Sequence, residues 1–512
     1  MVKKHIEKYS FRDIIKDSYF HLLGIFILLI FLLKVGVLGK YSFNFAYLAI
    51  ILGFFGITLY TSKEKIKIPK YFLYIALAII LLLRLIPFFS TLVPLGYDPG
   101  LYKYSFEQPF AQDWTAQANP LLFSLVFYVL NLILGSWFIL TIFLALLSTL
   151  VGWLIYYVIS KKFNSEVGVM AILIYMVSIA SFQAFWWNYL KNICGICLLL
   201  ISYLYFQDNK RINWKLILIG GLIAGFHRPA FLIFGLSYFI YVLLDIKKFK
   251  SKEFRNSVIN GMLIVILGLL FNIDRIFTFL LPGVLMTAKS VLEGSGGSGT
   301  FFSLKDYFYY TIPFIPFAIT GFIKYFKKNI PIALGGLITS CIVLFGLFFH
   351  NRFIIYLDIF VVIYSALGFY SLIQNKEKYG KILFYSFIAL FLVLIVIHSF
   401  NSKALISDEE FAKIKTFDYI LPSDAVVMSI SSSYSPWLKG YVHREVIAPG
   451  LFDNNPWDKS EWETFWNDEA LRVEMLNELN ISSLYIYQGD RMVKYKWNGN
   501  YSEVIDGLYL FD

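Results

Sequence analysis

Apolar runs of about twenty residues recur between residues 19 and 399, and no other feature narrows the possible folds as much. A helix of that length crosses the hydrocarbon core of a bilayer. Inside that core the backbone must satisfy its own hydrogen bonds, so these runs are helices. Charged residues make up only 15% of the chain, against about a quarter in soluble domains. The first run begins near Tyr19 behind a charged stretch, with no small-residue cleavage site after it. It reads as a retained helix, not a signal peptide.

Candidate spans are 19–37, 43–61, 71–90, 137–158, 167–185, 192–206, 215–226, 230–245, 257–273, 307–323, 330–349, 353–373 and 382–399, about thirteen in all. One further apolar run, Pro120 to Leu134, decides the topology. As a crossing, it puts every later Lys-rich loop outside. As a helix lying at the outer interface, it puts those loops inside. The second arrangement gives 25 Lys and Arg in the inner segments and eight in the outer loops before residue 401. Basic residues in short loops mark the cytoplasmic side. The N-terminus is therefore expected inside and the C-terminus outside. The same distribution accounts for the net charge of +11 and argues against nucleic acid as a partner.

Beyond Phe400 the pattern changes to polar, Trp-rich sequence. The expected fold is a polytopic α-helical membrane protein with a small extracytoplasmic α/β domain. Residues 1–400 form the multi-span domain, with outer loops 91–136 and 274–306. Residues 401–512 form the C-terminal domain, at about 110 residues large enough to fold alone. Ser407 to Tyr419 reads as a helix with Ser407 as its N-cap, and Ala425–Ser429 and Leu484–Tyr487 read as strands. Cys194 and Cys197 lie in one apolar run without a second pair or a nearby His, so they read as small residues on one helix face.

The chemistry is expected in the outer loops. Gly96-Tyr97-Asp98-Pro99-Gly100-Leu101-Tyr102 follows a span, with Glu107 and Asp113 behind it. Asp98 fits a general base, a metal ligand or a solvated turn residue, since Asp-Pro-Gly also favours turns. Arg352, in His350-Asn351-Arg352-Phe353, fits either a phosphate ligand or an interfacial snorkel, and Asp358 follows it within the next run. His227-Arg228-Pro229 at another outer junction would serve the same anion or break a hairpin. Trp186-Trp187-Asn188-Tyr189-Leu190-Lys191-Asn192 would stack on sugar or belong to an interfacial aromatic belt. Glu293 precedes the run Gly294 to Gly299 in the long second loop, which reads as a lid or a linker. In the outer domain, Trp437 and Arg444 would contact a carbohydrate or acceptor, or fill a core and a turn. Asn480-Ile481-Ser482 and Asn500-Tyr501-Ser502 fit the N-glycosylation pattern. Arg84 is the exception among the charges, lying within a span near its outer end.

In this order the pieces resemble the GT-C class of membrane glycosyltransferases, which includes protein O-mannosyltransferases, aminoarabinose lipid A transferases and oligosaccharyltransferase catalytic subunits. Gly96 to Tyr102 is similar to the acidic motif of the first outer loop. Asn119-Pro120-Leu121-Leu122 is similar to the apolar segment after it. Pro422-Ser423-Asp424-Ala425-Val426-Val427, then Trp437 to Arg444, is similar to the start of the outer domain. The resemblance implies a polyprenyl-phosphate-linked sugar donor and a lipid, glycan or protein acceptor. It implies Asp98 as catalytic base or metal-linked carboxylate, with a divalent metal such as Mg or Mn. It places Arg352 at the donor phosphate, with Arg228 in support, and Glu293 in a mobile loop. The Trp-Trp-Asp-Tyr-Gly signature of oligosaccharyltransferases is absent, and Asn188 and Lys191 stand where those enzymes carry acidic residues. Transfer of one sugar to a hydroxyl therefore fits better than transfer of a whole oligosaccharide to Asn. The rival readings are a transporter or flippase of a lipid-linked glycan and a non-catalytic envelope scaffold.

Overall fold

The computed structural model describes residues 70–208, 211–283, 285, 299, 301–347, 349–375, 377–451, 454–490 and 501–511. The expected spans 19–37 and 43–61, Glu293, most of the Gly/Ser run and Asn500 lie outside the described residues. Each remaining span meets a helix or a helix pair. In chain order these are α1 (Tyr71–Leu85), α2 (Pro99–Glu107), α3 (Trp114–Gln117), α4 (Leu121–Leu134), α5 (Leu144–Lys162), α6 (Ser165–Met176), α7 (Ile179–Trp186), α8 (Leu190–Tyr205), α9 (Trp214–Phe226), α10 (Arg228–Leu244), α11 (Lys252–Leu270), α12 (Leu304–Thr311), α13 (Ile315–Tyr325), α14 (Ile330–Leu344), α15 (His350–Asn375) and α16 (Glu377–Asn401). Among the described residues, five helical stretches are long and apolar enough to cross a membrane alone, and the bent pair α6–α7 makes a sixth. This is a multi-pass membrane protein.

Two spans break where the sequence reading ran them straight. At Val177–Ser178 the chain bends by 56° between α6 and α7. Ser178 adopts extended geometry and its hydroxyl accepts from the Ser181 amide at 3.0 Å, starting α7 afresh. The span at 307–323 divides into α12 and α13. Pro313 and Pro316 lie at this junction, where their missing N–H groups cannot serve a continuous helix. Arg84 is fully buried; its Nε donates to Ser148 Oγ at 3.4 Å and its guanidinium lies 5.2 Å from the Phe182 ring centroid.

The C-terminal domain contains α17 (Asp408–Ile420), β1 (Val426–Ser429), α18 (Ser435–Tyr441), β2 (Glu445–Ile447), α19 (Lys459–Asn467), α20 (Glu469–Glu478), β3 (Leu484–Tyr487), β4 (Tyr501–Ile505) and β5 (Leu508–Phe511). Ser407 caps α17 through the Glu410 amide at 3.1 Å. The sheet order is β2-β1-β3-β5-β4, with β2, β1 and β3 parallel and the rest antiparallel. Side chains alternate across it. Val427 joins a core with Phe411, Phe417 and Trp437, whereas Met428 joins one with Trp462 and Phe465. Val93 of the first outer loop is buried in the former core, and Asp408 accepts from the Leu92 amide at 2.9 Å. The C-terminal domain is thereby seated on the loop that carries Asp98.

Candidate active site

Asp98 sits in a turn that only this packing permits. Gly96 has φ +82°, and a side chain there would collide with the backbone of Trp186 and Trp187 at the end of α7. Asp98 then precedes α2, with Pro99 in the first turn, but its backbone is helical and its side chain does not cap the helix. The carboxylate is thus not consumed by local structure. It is partly exposed at the seam between the two domains. Desolvation raises its pKa above the ordinary carboxylate value, while the charges of Arg352 and Lys191 act in the opposite direction.

Those two cations come from different helices. Lys191 opens α8; its ammonium lies 5.8 Å from the Tyr102 ring centroid and 3.4 Å from the Ala118 carbonyl oxygen. Arg352 lies in the first turn of α15, its guanidinium 5.7 Å from the Tyr189 ring centroid. Asn188 has φ +60° and donates to the Leu140 carbonyl at 2.8 Å, which fixes the turn presenting Tyr189 and Lys191. Gly299, at the end of the Gly/Ser run, packs on the Arg352 stem and accepts from Asn351 at 3.3 Å. Residue Gly299 thus lies against the Arg352 side chain. One turn further along α15, the Tyr356 hydroxyl lies 2.6 Å from His227 Nδ1, which also accepts from the Ala230 amide at 3.4 Å. His227 thus holds the start of α10 against α15.

The other expected site residues have different positions. Arg228 donates to the Gln117 carbonyl at 3.2 Å. Arg275, buried, donates to the carbonyls of Ala116 at 2.9 Å and Pro109 at 3.1 Å. With Lys191, these cations gather at the carbonyl end of α3, where cations are favoured, and they clamp the first outer loop. Glu107 pairs with Lys103 at 2.6 Å and faces His443 of the outer domain at 3.6 Å. Asp113 caps α3, accepts from the Tyr104 hydroxyl and pairs with Lys439 at 3.2 Å.

Two expectations need correction. Trp437 is not a carbohydrate platform: it is fully buried, edge-on to Phe411 and stacked on Tyr441. Arg444 is not turned toward an acceptor. Its guanidinium donates to the carbonyls of Pro422 at 2.6 Å, Leu421 at 2.9 Å and Asp418 at 3.2 Å, closing the end of α17. In the sequence reading Tyr189 and Lys191 entered only within the Trp186–Asn192 run and Arg275 only as one of the eight outer-loop cations, and Tyr356 gained no role.

A divalent metal does not fit the described residues at Asp98. Its charged neighbours are Arg352 and Lys191, not further carboxylates, and a hard cation needs several oxygen ligands. No group of three His, Cys, Asp or Glu suited to a metal occurs among the described residues.

No protein-family description matches the chain, and no curated protein matches it. Solved structures do. The archaeal oligosaccharyltransferase AglB from Archaeoglobus fulgidus, in complex with an inhibitory peptide and a dolichol-phosphate, superposes with a TM-score of 0.57 at 13% identity, covering 81% of this chain and 69% of AglB. The same enzyme has been solved with Zn and sulfate, giving a TM-score of 0.56 at 14% identity over 81% of this chain and 68% of that one. ArnT from Cupriavidus metallidurans bound to undecaprenyl phosphate gives a TM-score of 0.50 at 12% identity, covering 81% of this chain and 92% of ArnT. AglB and ArnT are GT-C glycosyltransferases, and this chain has their fold.

Proposed function

We propose that the protein transfers one sugar from a polyprenyl-phosphate-linked donor to a hydroxyl acceptor on the outer face of the membrane. The observation that carries this reading is that the charges of Arg352 and Lys191 act on Asp98, in the loop on which the C-terminal domain is seated. A carboxylate facing two cations suits a reaction in which a base deprotonates the acceptor hydroxyl and a phosphate-binding group takes up the charge of the leaving oxygen. The ligands of AglB and ArnT, dolichol-phosphate and undecaprenyl phosphate, support a donor of the same chemistry here.

In this mechanism Asp98 removes the proton of the acceptor hydroxyl, and the oxygen attacks the anomeric carbon. The bond from that carbon to the phosphate oxygen breaks, and its electron pair leaves with the phosphate. Arg352 offers a planar fork to the leaving oxyanion and Lys191 a second charge. Gly299 packs against the Arg352 side chain. The acceptor belongs at the carboxyl end of β1. That strand has parallel neighbours on both sides, and the crevice at such a switch point is where open α/β sheets bind ligands. The turn at Gly450 there lies beside Ser432 and beside the hydroxyl of Tyr97, the residue before Asp98. The topology that goes with this reading has the N-terminus cytoplasmic and residues 401–512 outside.

The test uses the purified full chain with undecaprenyl-phosphate-linked sugars and a panel of hydroxyl acceptors. Release of undecaprenyl phosphate with a new glycoside is expected. Movement of intact donor across vesicles without cleavage would establish the flippase reading instead.

A further inference from the structure

Asp358 is buried within α15 at 2% exposure, further along the helix than Arg352. Its Oδ2 accepts from Ser178 Oγ at 2.6 Å and from Ser181 Oγ at 2.7 Å. Both serines stand at the bend where α7 begins. The same carboxylate lies beside the Tyr307 hydroxyl of α12, which is buried and lacks hydrogen-bond geometry. Asp358, Ser178 and Thr311 of α12 also line one cavity. One carboxylate thus touches three elements that the chain separates widely: the bent helix α7, the helix α15 that carries Arg352, and the helix α12 that follows the second outer loop.

Two of these elements, α7 and α15, end at the proposed site. The C-terminus of α7 presents the Trp186–Trp187 backbone on which Gly96, two residues before Asp98, is seated. The next residues present Tyr189 under Arg352 and Lys191 near Asp98. An intramembrane carboxylate is costly unless its hydrogen bonds are satisfied, so a structural role alone would be served as well by an apolar residue packed at the bend. We infer that Asp358 is a positioning residue. It keys α7 to α15, so that the support of Asp98 and the helix of Arg352 hold one relative register. The inference rests on the proposed glycosyl transfer for its kinetic readout but not for its structural one.

Asp358→Asn keeps one carbonyl oxygen that can accept from both serines. Asp358→Ala keeps none. Hydrogen exchange measured by mass spectrometry on the full chain in nanodiscs reads the keying directly. In Asp358→Ala the amides of residues 186–191 should exchange at least tenfold faster, and Asn should restore most of the protection. With active protein, kcat should fall at least tenfold in Ala and less than threefold in Asn. A misplacement of about 1 Å can cost a rate of this order. The KM for the donor should move less than kcat, because Arg352 stays on α15 itself. Unchanged exchange in Asp358→Ala overturns the inference whether or not the protein transfers sugar. Faster exchange with unchanged kcat overturns it too, as does an Asn variant no better than Ala, which would assign the charge itself a chemical role. If the wild-type chain transfers nothing, the functional reading fails and the exchange comparison still decides the keying. If Asp358→Ala does not fold, Ser181→Ala removes one donor while leaving the α7 cap intact, and should show at least threefold faster exchange in the same segment.

Discussion

The backbone of Gly100 on α2 lies directly against that of Gly440 on α18, with no side chain between them. A methyl group on Gly100 would run into the Pro436 carbonyl, and one on Gly440 into the Gly100 carbonyl. Neither obstacle can rotate away. The outer domain therefore reaches the Asp98 loop only because both positions are glycine. Around this contact, Lys439 pairs with Asp113 at 3.2 Å and lies over the Tyr104 ring, while Lys103 lies over Tyr441. Charges flank the seam, and glycine backbones form its centre.

Gly100→Ala or Gly440→Ala should destabilise the docking by about 1–3 kcal/mol, the usual range for forced overpacking. Thermal unfolding in detergent and proteolysis near residues 401–407 would measure it. Gly235, with nothing near its position, is the control. Gly235→Ala should leave stability unchanged or raise it by up to about 1 kcal/mol through helix propensity. Equal effects at all three sites would remove the docking argument.

Arg275→Ala should loosen the first outer loop. Its guanidinium reaches two carbonyls of that loop from deep within the protein, and bonds from charged donors contribute about 1.5–3 kcal/mol each. Removing them should lower the unfolding midpoint and expose residues 108–118 to faster hydrogen exchange. An exchange pattern identical to wild type would show that Arg228 and Lys191 hold the loop alone.

How much of this was legible from the chain depends on the range of each interaction. The apolar runs marked the helices because bilayer thickness alone sets their length. Ser407 marked its helix because an N-cap acts within three residues. The bend at Val177–Ser178 has the same local cap, from Ser178 to the Ser181 amide, but it lies inside one continuous apolar run that hides it, and its partner Asp358 is 180 residues away. Arg275 looked like an ordinary outer cation because the carbonyl it serves on Ala116 lies 159 residues earlier. Trp437 and Arg444 could be read either as acceptor contacts or as core and turn, because polar sequence on both sides does not choose between them. The sheet that buries one and the helix end that occupies the other form only when strands β1, β2 and β3 assemble. Asp98 was legible as a candidate from its place after a span, but Lys191 beside it was not.

Arg352→Ala should weaken binding of undecaprenyl phosphate by about 10- to 100-fold, the value of one or two charge-assisted hydrogen bonds. Lysine should recover only part, since it lacks the planar fork. Lys191→Gln should weaken the same binding by a smaller factor. Isothermal titration or microscale binding in detergent reads all three. Unaltered affinity in Arg352→Ala would reduce that residue to an interfacial anchor on Tyr189.

Asp98 gives the sharpest test because its charge state sets both rate and pH dependence. A general base works only when deprotonated, and desolvation raises its pKa above the ordinary carboxylate value. Activity should therefore be lost as pH falls through that raised value, so the acid limb of kcat/KM lies above where an exposed Asp, near 3.9, would put it. Arg352 acts against the rise. Arg352→Gln should therefore move the acid limb to still higher pH, in addition to its effect on donor binding, and a phosphate ligand with no field at Asp98 would not do this. Asp98→Asn keeps the shape of the turn, since the side chain does not cap α2. The protein should fold and insert, turnover should fall by about 10²-fold or more, and the residual rate should lose its acid limb altogether. A folded Asp98→Asn variant with the wild-type rate, or with an unmoved acid limb, would transfer the role of base to another carboxylate of the first outer loop, Glu107 or Asp113.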